Sequence, residues 1–488
     1  MYFFVNKGIH QLNSGVEYAQ FYRADIFNQQ QWPFKFILTD FLPDLDKSIQ
    51  QMQLKNREII NLYEYFLSED PVTYLKKGLT VSQAFDQKDY YDDQHHLKLS
   101  IIHNTRHYAT TLYYHYRIDH GTGKVVHDID RVILTNGTHR LMWHYQVNRV
   151  SGRHATSFRL FDFEGQNYWF QNFEGLLSFF YQKVNETFSN GHYIIDRGVD
   201  NQEALIRLKA AGAMITITQV IHAQHFFGIK QQQLLFNQHY QYLFDHAKMF
   251  DHIITATMGQ TQQVIENLQT IGLDHEQTKA MVKTIPAGYA RAIKTPRKVH
   301  QNVFQFVTAS RLHPEKHIDH IIYAIQQLKQ NNYPIALTIY GDGDDNQRLK
   351  KLILKLNLSD TIHLMPTTHH FLTVLNEYDA LVSASYSEGF GLTYLEALSQ
   401  GVPVVSYANT YGAQHLIKDG VNGYLANVIF SNQSSDIQQN IQNLVQAMVK
   451  VMVSNNYPKL SVGAIQTAQQ YSSNRVTQKW AELMRVDD

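Results

Sequence analysis

The sequence predicts an α/β fold: two parallel-sheet domains facing a cleft, the first interrupted by an antiparallel β-rich insertion. Three observations predict it. Short apolar runs alternate with helical periodicity at the beginning of the chain and again beyond residue 192, as buried parallel strands joined by helices require. Between them, from roughly 98 to 182, the text changes to alternating aromatic and β-branched runs separated by turn signals. A polar, proline-bearing stretch, "YARAIKTPRKVHQN" (289–302), then parts two α/β series as an interdomain linker would.

Taken in order, "MYFFV" is a short buried-strand run, "NKGIHQLNSG" a turn, "VEYAQFYRADIF" a helix by its spacing, and "FKFILTD" a second strand, together a βαβ unit. The insertion follows, with "LKLSIIH", "YATTLYYHYRID", "KVVHDIDRVILT", "RLMWHYQVNRV", "TSFRLFDF" and "YWFQNF" as strands of an antiparallel meander. "GTGK" (121–124) lies between two strand-like runs with no helix after it, so it reads as a hairpin turn and not a phosphate loop. His103, His107 and His115 alternate on solvated faces. From "HYIIDRG" the α/β alternation resumes, and from "VFQFVTASRL" a second series runs to "GYLANV". The expected boundaries are 1–45 and 191–295 for the two parts of the first domain, 46–190 for the insertion and 300–470 for the second domain. A C-terminal helix at 471–488 is expected to cross back to the first domain.

Composition excludes several classes. At 488 residues, with 44% apolar and 18% charged residues, the chain is long enough for a well-buried globular core. Its formal net charge is zero and no dense Lys/Arg run marks a nucleic-acid groove or a membrane-surface helix. The absence of cysteine excludes disulfides, thiol nucleophiles and Cys-ligated zinc. The N-terminus carries no basic leader, and "LLSFFY" (176–181) falls far short of the ~20 apolar residues that span a bilayer, so a cytosolic protein is expected.

The chemistry concentrates in "SASYSEGFGLTYLEALSQGVPVVSY" (383–407). "ALVSAS" reads as a buried strand and "LTYLEALSQG" as a helix ended by Gly401, so "YSEGFG" is the strand-to-helix turn at the ligand edge of the sheet. Gly389 and Gly391 permit a close approach that a Cβ would forbid. The amides of Phe390, Gly391 and Leu392 form an anion site at the helix N-terminus, and Glu396, about one turn inside, can reach a neutral ligand hydroxyl. Taken alone, Glu388 and Glu396 could be two solvated carboxylates; the glycines and the flanking strands argue otherwise. "TASRLHPEKHID" (308–319) brings Arg311 and Lys316 to a helix start, where they can stabilise a departing diphosphate. "LNSGVEYAQ" places Gly15 between the first strand and the first helix, and "VIHAQHF" ends a strand with His222 and His225. An isolated His-x-x-His lacks the glutamate of a zinc protease, and "YGDGDDN" (340–346) reads as a sheet-edge turn.

These motifs resemble those of the retaining GT-B glycosyltransferases, in particular glycosyltransferase family 4. "SGVEYAQFYRADIF", "HAQHF", "TASRLHPEKHID" and "SEGFGLTYLEAL", with the β-rich insertion, resemble one branch over essentially the whole chain: the accessory-secretion protein O-GlcNAc transferases of serine-rich-repeat adhesins. The resemblance implies transfer of N-acetylglucosamine, or glucose, from UDP-GlcNAc or UDP-Glc to Ser/Thr hydroxyls of a Ser/Thr-rich polypeptide. It gives catalytic roles to Glu388, Arg311, Lys316 and His222. UDP contacts fall to Gly15, Val16, Glu17, Tyr18, Arg311, Lys316, Thr368, His369 and Glu396, and sugar contacts to His222, Glu388, Gly389, Phe390, Gly391 and Leu392. It implies no metal and no cofactor, the basic pair supplying the charge, and a GtfB-like sister subunit docked on the insertion. It further implies a cytoplasmic site, with the inner face of the cell membrane reached through partners only, and no nucleic-acid partner. A teichoic-acid poly(polyol-phosphate) α-glucosyltransferase and a non-catalytic GT-B binding subunit stay open as alternatives. A phosphorylase-like enzyme would need a lysine for pyridoxal phosphate in a distinct motif, and none is present.

Overall fold

The computed structural model describes residues 1–10, 13–43, 45–79, 85–104, 108–118, 123–148, 152–230, 233–299, 302–368, 370–453 and 456–487. His107, His369 and part of the "GTGK" turn lie outside the described residues. The chain divides into two compact units, one of Met1–Asn13, Phe27–Val220 and Gln241–Asp251, the other of Ser14–Ile26, Ile221–Tyr240 and His252–Asp488.

The strands Tyr2–Asn6 and Phe34–Leu38 are buried at every position, Asn6 and Lys35 included, as their largely apolar text suits a parallel sheet covered on both faces. They pair in parallel, Tyr2 opposite Phe34, within a seven-stranded sheet. Its order is Val282–Thr284, His252–Thr255, Thr216–Ile221, His192–Ile195, Tyr2–Asn6, Phe34–Leu38, Ile59–Asn61. The α/β series therefore continues to Asn61, past residue 45, because the short run "IIN" adds one more parallel strand beside Phe34–Leu38. The helix Gly15–Gln29 starts on a capping box: the Ser14 amide and hydroxyl each donate to Glu17 Oε2 at 2.7 Å.

The antiparallel sheet spans Phe85–Asn172 as seven strands joined in sequence order. One face is a dry core of Val132, Leu134, Leu141, Trp143, Phe158, Leu160 and Phe163. Trp143 lies parallel to Phe158 at 5.7 Å and meets Phe41 edge-on at 5.2 Å and Tyr63 at 5.1 Å. Tyr90, Tyr91, Tyr116 and Trp169 stay exposed, as do His103 and His115, so the aromatic excess divides between core and surface.

The second parallel sheet has six strands, in the order Ile362–Met365, Ile335–Tyr340, Phe304–Ala309, Ala380–Ser383, Val404–Tyr407, Gly423–Ala426. Chain order reverses between Phe304–Ala309 and Ala380–Ser383, which pair directly. At such a switch point the loops leaving the two carboxyl ends diverge to opposite faces and leave a crevice between them. The C-terminal helix Ser473–Asp487 lies against the helix Gly15–Gln29, with the Arg23 guanidinium 5.5 Å from the Trp480 ring, and Lys479 donates to the Thr284 carbonyl.

Trp143→Ala should destabilise the protein by about 3–5 kcal/mol through lost transfer energy and the cavity left behind. A thermal melt or denaturant titration checks this, and an unchanged midpoint would contradict the dry core assigned to the insertion.

Candidate active site at the switch point

The two loops that leave the switch point are "SRLHPEK" and "ASYSEGFG". In the first, Leu312 is the anchor. It is fully buried, its amide donates to the Asp342 carbonyl at 2.9 Å, and its carbonyl accepts from Asp345 at 3.0 Å. "YGDGDDN" is therefore more than a sheet-edge turn. A Cβ on Gly341 would sit 2.1 Å from the Ser310 carbonyl, and one on Gly343 2.5 Å from that of Leu312, so both glycines let this turn clasp the Arg311 loop. Pro314–Lys316 then forms a single 3-10 turn, and His317 takes the left-handed conformation (φ 46°) before the helix Ile318–Gln330.

The second loop is fixed by missing side chains. A Cβ on Gly389 would stand 2.0 Å from the His222 carbonyl, and one on Gly412 2.9 Å from Glu388 Cβ. The Gly412 amide donates to the Glu388 carbonyl at 2.9 Å, while Phe390 is buried against Tyr471. Gly391 (φ 89°) caps the helix Leu392–Ser399, whose first amides have no carbonyl partner one turn back.

Across the switch point Lys316 Nζ reaches Glu388 Oε1 at 2.7 Å, with side chains only 16% and 23% exposed. Of the two predicted cations, this one meets the carboxylate. Arg311 is turned to Glu315 at 3.0 Å, and both are half exposed, so an incoming anion can compete for the guanidinium. His222 is half-buried, its amide bonded to the Tyr240 hydroxyl at 2.9 Å, and its backbone lies against Gly389. His225 is the structural member of the pair. It is fully enclosed, bonded through Nε2 to Asn267 at 3.2 Å and stacked on Tyr411, and burial lowers its pKa to about 4, so it is neutral at physiological pH.

Glu396 points back from its helix to the helix Gly15–Gln29, with the Tyr22 hydroxyl 3.4 Å from Oε1. Part of its surface is accessible, yet protein atoms enclose the carboxylate. Loss of water pushes its pKa up to about 7 against the opposing pull of Arg291 and the Tyr22 bond. Tyr18 is half-buried, its pKa raised by burial and then by Glu396. The carboxylate of Glu17 is engaged by Ser14 at the helix start, and the Val16 amide donates to the Ser14 hydroxyl at 3.2 Å. Gly15 has open space where a Cβ would be and no positive φ, so the fold itself does not demand glycine there. Leu392 is half-buried against Gly288, and Thr368 is half-buried with its hydroxyl bonded to the His370 amide at 3.1 Å.

Sequence reasoning missed Gly412, Tyr22 and Arg291, which enter through contacts between distant segments; Tyr22 lies within the quoted "SGVEYAQFYRADIF", but nothing local singles it out there. Among the described residues, one group could offer metal ligands: His317, Asp319 and His320, with ligand atoms within 4.8 Å of one another. Asp319 is already paired with Arg348 at 2.9 Å, and His320 Nδ1 with the Tyr407 hydroxyl at 3.1 Å.

The sheet order and its crevice-forming loops are those of a GT-B glycosyltransferase, and residues 291–452 match the family described as glycosyl transferases group 1. With that domain, the chain is a glycosyltransferase of GT-B fold. It is similar over its whole length to the UDP-N-acetylglucosamine–peptide N-acetylglucosaminyltransferase GtfA subunit of Streptococcus gordonii, 27% identical with 99% of this chain and 97% of the relative aligned. The poly(glycerol-phosphate) alpha-glucosyltransferase of Bacillus subtilis (strain 168) is 28% identical but aligns over 54% of this chain and 36% of its own. Among solved structures, a GtfA/B complex superposes with a TM-score of 0.72 at 24% identity, covering 100% of this chain and 99% of the other.

Two outcomes follow from the geometry. Gly389→Ala should lose at least about tenfold in ligand affinity or turnover, because the backbone must retreat from His222, whereas Gly15→Ala should leave the melting temperature unchanged. Glu396→Gln should raise the melting temperature at pH 8 and not at pH 4. The folded-state pKa lies above the unfolded value, so the group's stabilising contribution is full below about 4.5 and is lost as pH rises through about 7. Equal effects at both pH values would contradict the enclosed carboxylate.

Proposed function

We propose that this protein transfers N-acetylglucosamine from UDP-GlcNAc to Ser/Thr hydroxyls of a serine-rich polypeptide, with retention at the anomeric carbon. The observation that carries the reading is the Lys316–Glu388 pair at the switch point, held by Gly389 and Gly412. Full-length similarity to a GtfA subunit supports the donor and acceptor classes, and the shorter alignment to the teichoic-acid enzyme gives that alternative less support.

In this reading Lys316 and Arg311 meet the diphosphate, Arg311 exchanging Glu315 for a phosphoryl oxygen. The amides near Gly391 add a fixed dipole at the same place. Glu388 orients the sugar through its hydroxyls and His222 approaches it from the other loop. Gly15, Val16, Tyr18 and Glu396 line the nucleoside, with Thr368 as a further contact. The bond from C1 to the phosphate oxygen breaks as the acceptor oxygen bonds C1 on the same face, and the acceptor proton passes to the departing phosphate. The products are the glycosylated side chain and UDP. The cationic pair supplies the charge that a metal would otherwise provide, so the reaction proceeds without one.

The exposed aromatics of the antiparallel sheet, Tyr90, Tyr91, Tyr116 and Trp169, suit a protein partner. A GtfB-like sister subunit is the partner proposed, and the similarity to a GtfA/B complex supports it. No helix among the described residues is long and apolar enough to cross a membrane. The proposed setting is the cytosol, before export of a serine-rich-repeat adhesin by an accessory Sec route, with the membrane's inner face reached through partners.

Lys316→Ala and Glu388→Gln should each reduce transfer by about 10²-fold or more while the fold persists, read with radiolabelled UDP-GlcNAc and a Ser/Thr-rich polypeptide in the presence of EDTA. Near-normal turnover by either variant would refute the assignment.

A further inference from the structure

We infer that Tyr22 and Arg291 are positioning residues that hold the Glu396 carboxylate for the donor's ribose. This rests on the ribose role given to Glu396 above. Three distant segments meet here. The helix Gly15–Gln29 supplies Tyr22 and, one turn on, Asp25; the strap before residue 292 supplies Gly288, Tyr289 and Arg291; the helix Leu392–Ser399 supplies Glu396.

Tyr22 is buried and its ring is clamped. The Arg291 guanidinium covers it at 4.4 Å and Tyr289 meets it edge-on at 5.1 Å. A Cβ on Gly288 would come within 2.9 Å of it. Tyr289 is in turn bonded to Asp25, so the clamp closes on the helix that carries Tyr22. Such a packed ring has no need of a hydroxyl for its own stability, since phenylalanine would fill the same space. The hydroxyl is spent on Glu396 Oε1 at 3.4 Å. A carboxylate has about four acceptor sites, so one such bond biases its orientation and leaves room for the two hydroxyls of a ribose.

The groups facing Glu396 are Tyr18 and Tyr22 from the first helix and Arg291 from the strap. Tyr22 donates to the ionised form and Arg291 attracts it, so both act against the burial that favours the proton. Removing either makes ionisation harder. UDP binding that needs the carboxylate as acceptor then begins at a higher pH.

Calorimetric titration with UDP between pH 5.5 and 8.5 tests this on the full chain and three variants. UDP's own phosphate titrates in the same range but cancels between proteins. Tyr22→Phe should bind about fivefold more weakly at pH 7, keep its melting temperature, raise the donor KM and leave kcat within about twofold. The midpoint of its pH–affinity curve should move upward. Arg291→Gln, at an exposed position, removes the charge together with the cover over the Tyr22 ring; it should move the midpoint the same way and decides the question should Tyr22→Phe fail to fold. Affinity and midpoint equal to wild type in these variants, with Glu396→Gln binding weakly, would overturn the inference alone. Wild-type binding by Glu396→Gln would overturn the ribose assignment beneath it, and the inference with it.

Discussion

The close approach of Gly389 to the carbonyl of His222 is the contact on which the site depends. No side chain fits between them, since even a methyl group would stand 2.0 Å from the oxygen. That contact sets where the 384–391 loop runs, and so where Glu388 begins. Gly412 takes up the other side of the same loop, leaving Glu388 an exit toward Lys316. The Arg311 loop is treated likewise, gripped through Gly341 and Gly343 and pinned by Leu312. The two loops are thus held by backbone contact, which leaves their polar side chains available to a ligand. A loop fixed by bulky side chains would fill the space that the substrate needs.

The electrostatics follow from that enclosure. Lys316 and Glu388 neutralise one another while partly dehydrated, which suits the proposed exchange of each partner for a phosphate and a sugar hydroxyl. Glu396 is left in a setting that disfavours its charge, with a tyrosine and an arginine as partial compensation. A carboxylate placed so is a standing cost to the folded state, which is common where binding demands the group. His225 shows the opposite solution three residues from His222. Buried, stacked and neutral, it serves packing.

Much of the fold was legible because its signals are local. The strands at Tyr2–Asn6 and Phe304–Ala309, the helix at Gly15–Gln29 and the antiparallel meander each declare themselves by the period of their apolar residues. Asn61 as the end of a parallel strand was not legible, since "IIN" is too short to carry a period. In the site, Glu388, Lys316 and His222 could be found because they sit on recognisable loop motifs. Tyr22 and Gly412 could not, because their roles arise from segments 374 and 24 residues away.

By itself the sequence determined the α/β alternation, the inserted meander and the loops that carry charge and glycine, since each depends on neighbours within a turn or two. Only the tertiary structure decided which charges meet. It gave Lys316 to Glu388, enclosed Glu396 beneath Tyr22, and sent His225 inward while His222 kept its place beside Gly389. The reason is the reversal of strand order, a long-range pairing of Phe304–Ala309 with Ala380–Ser383 that no local pattern encodes.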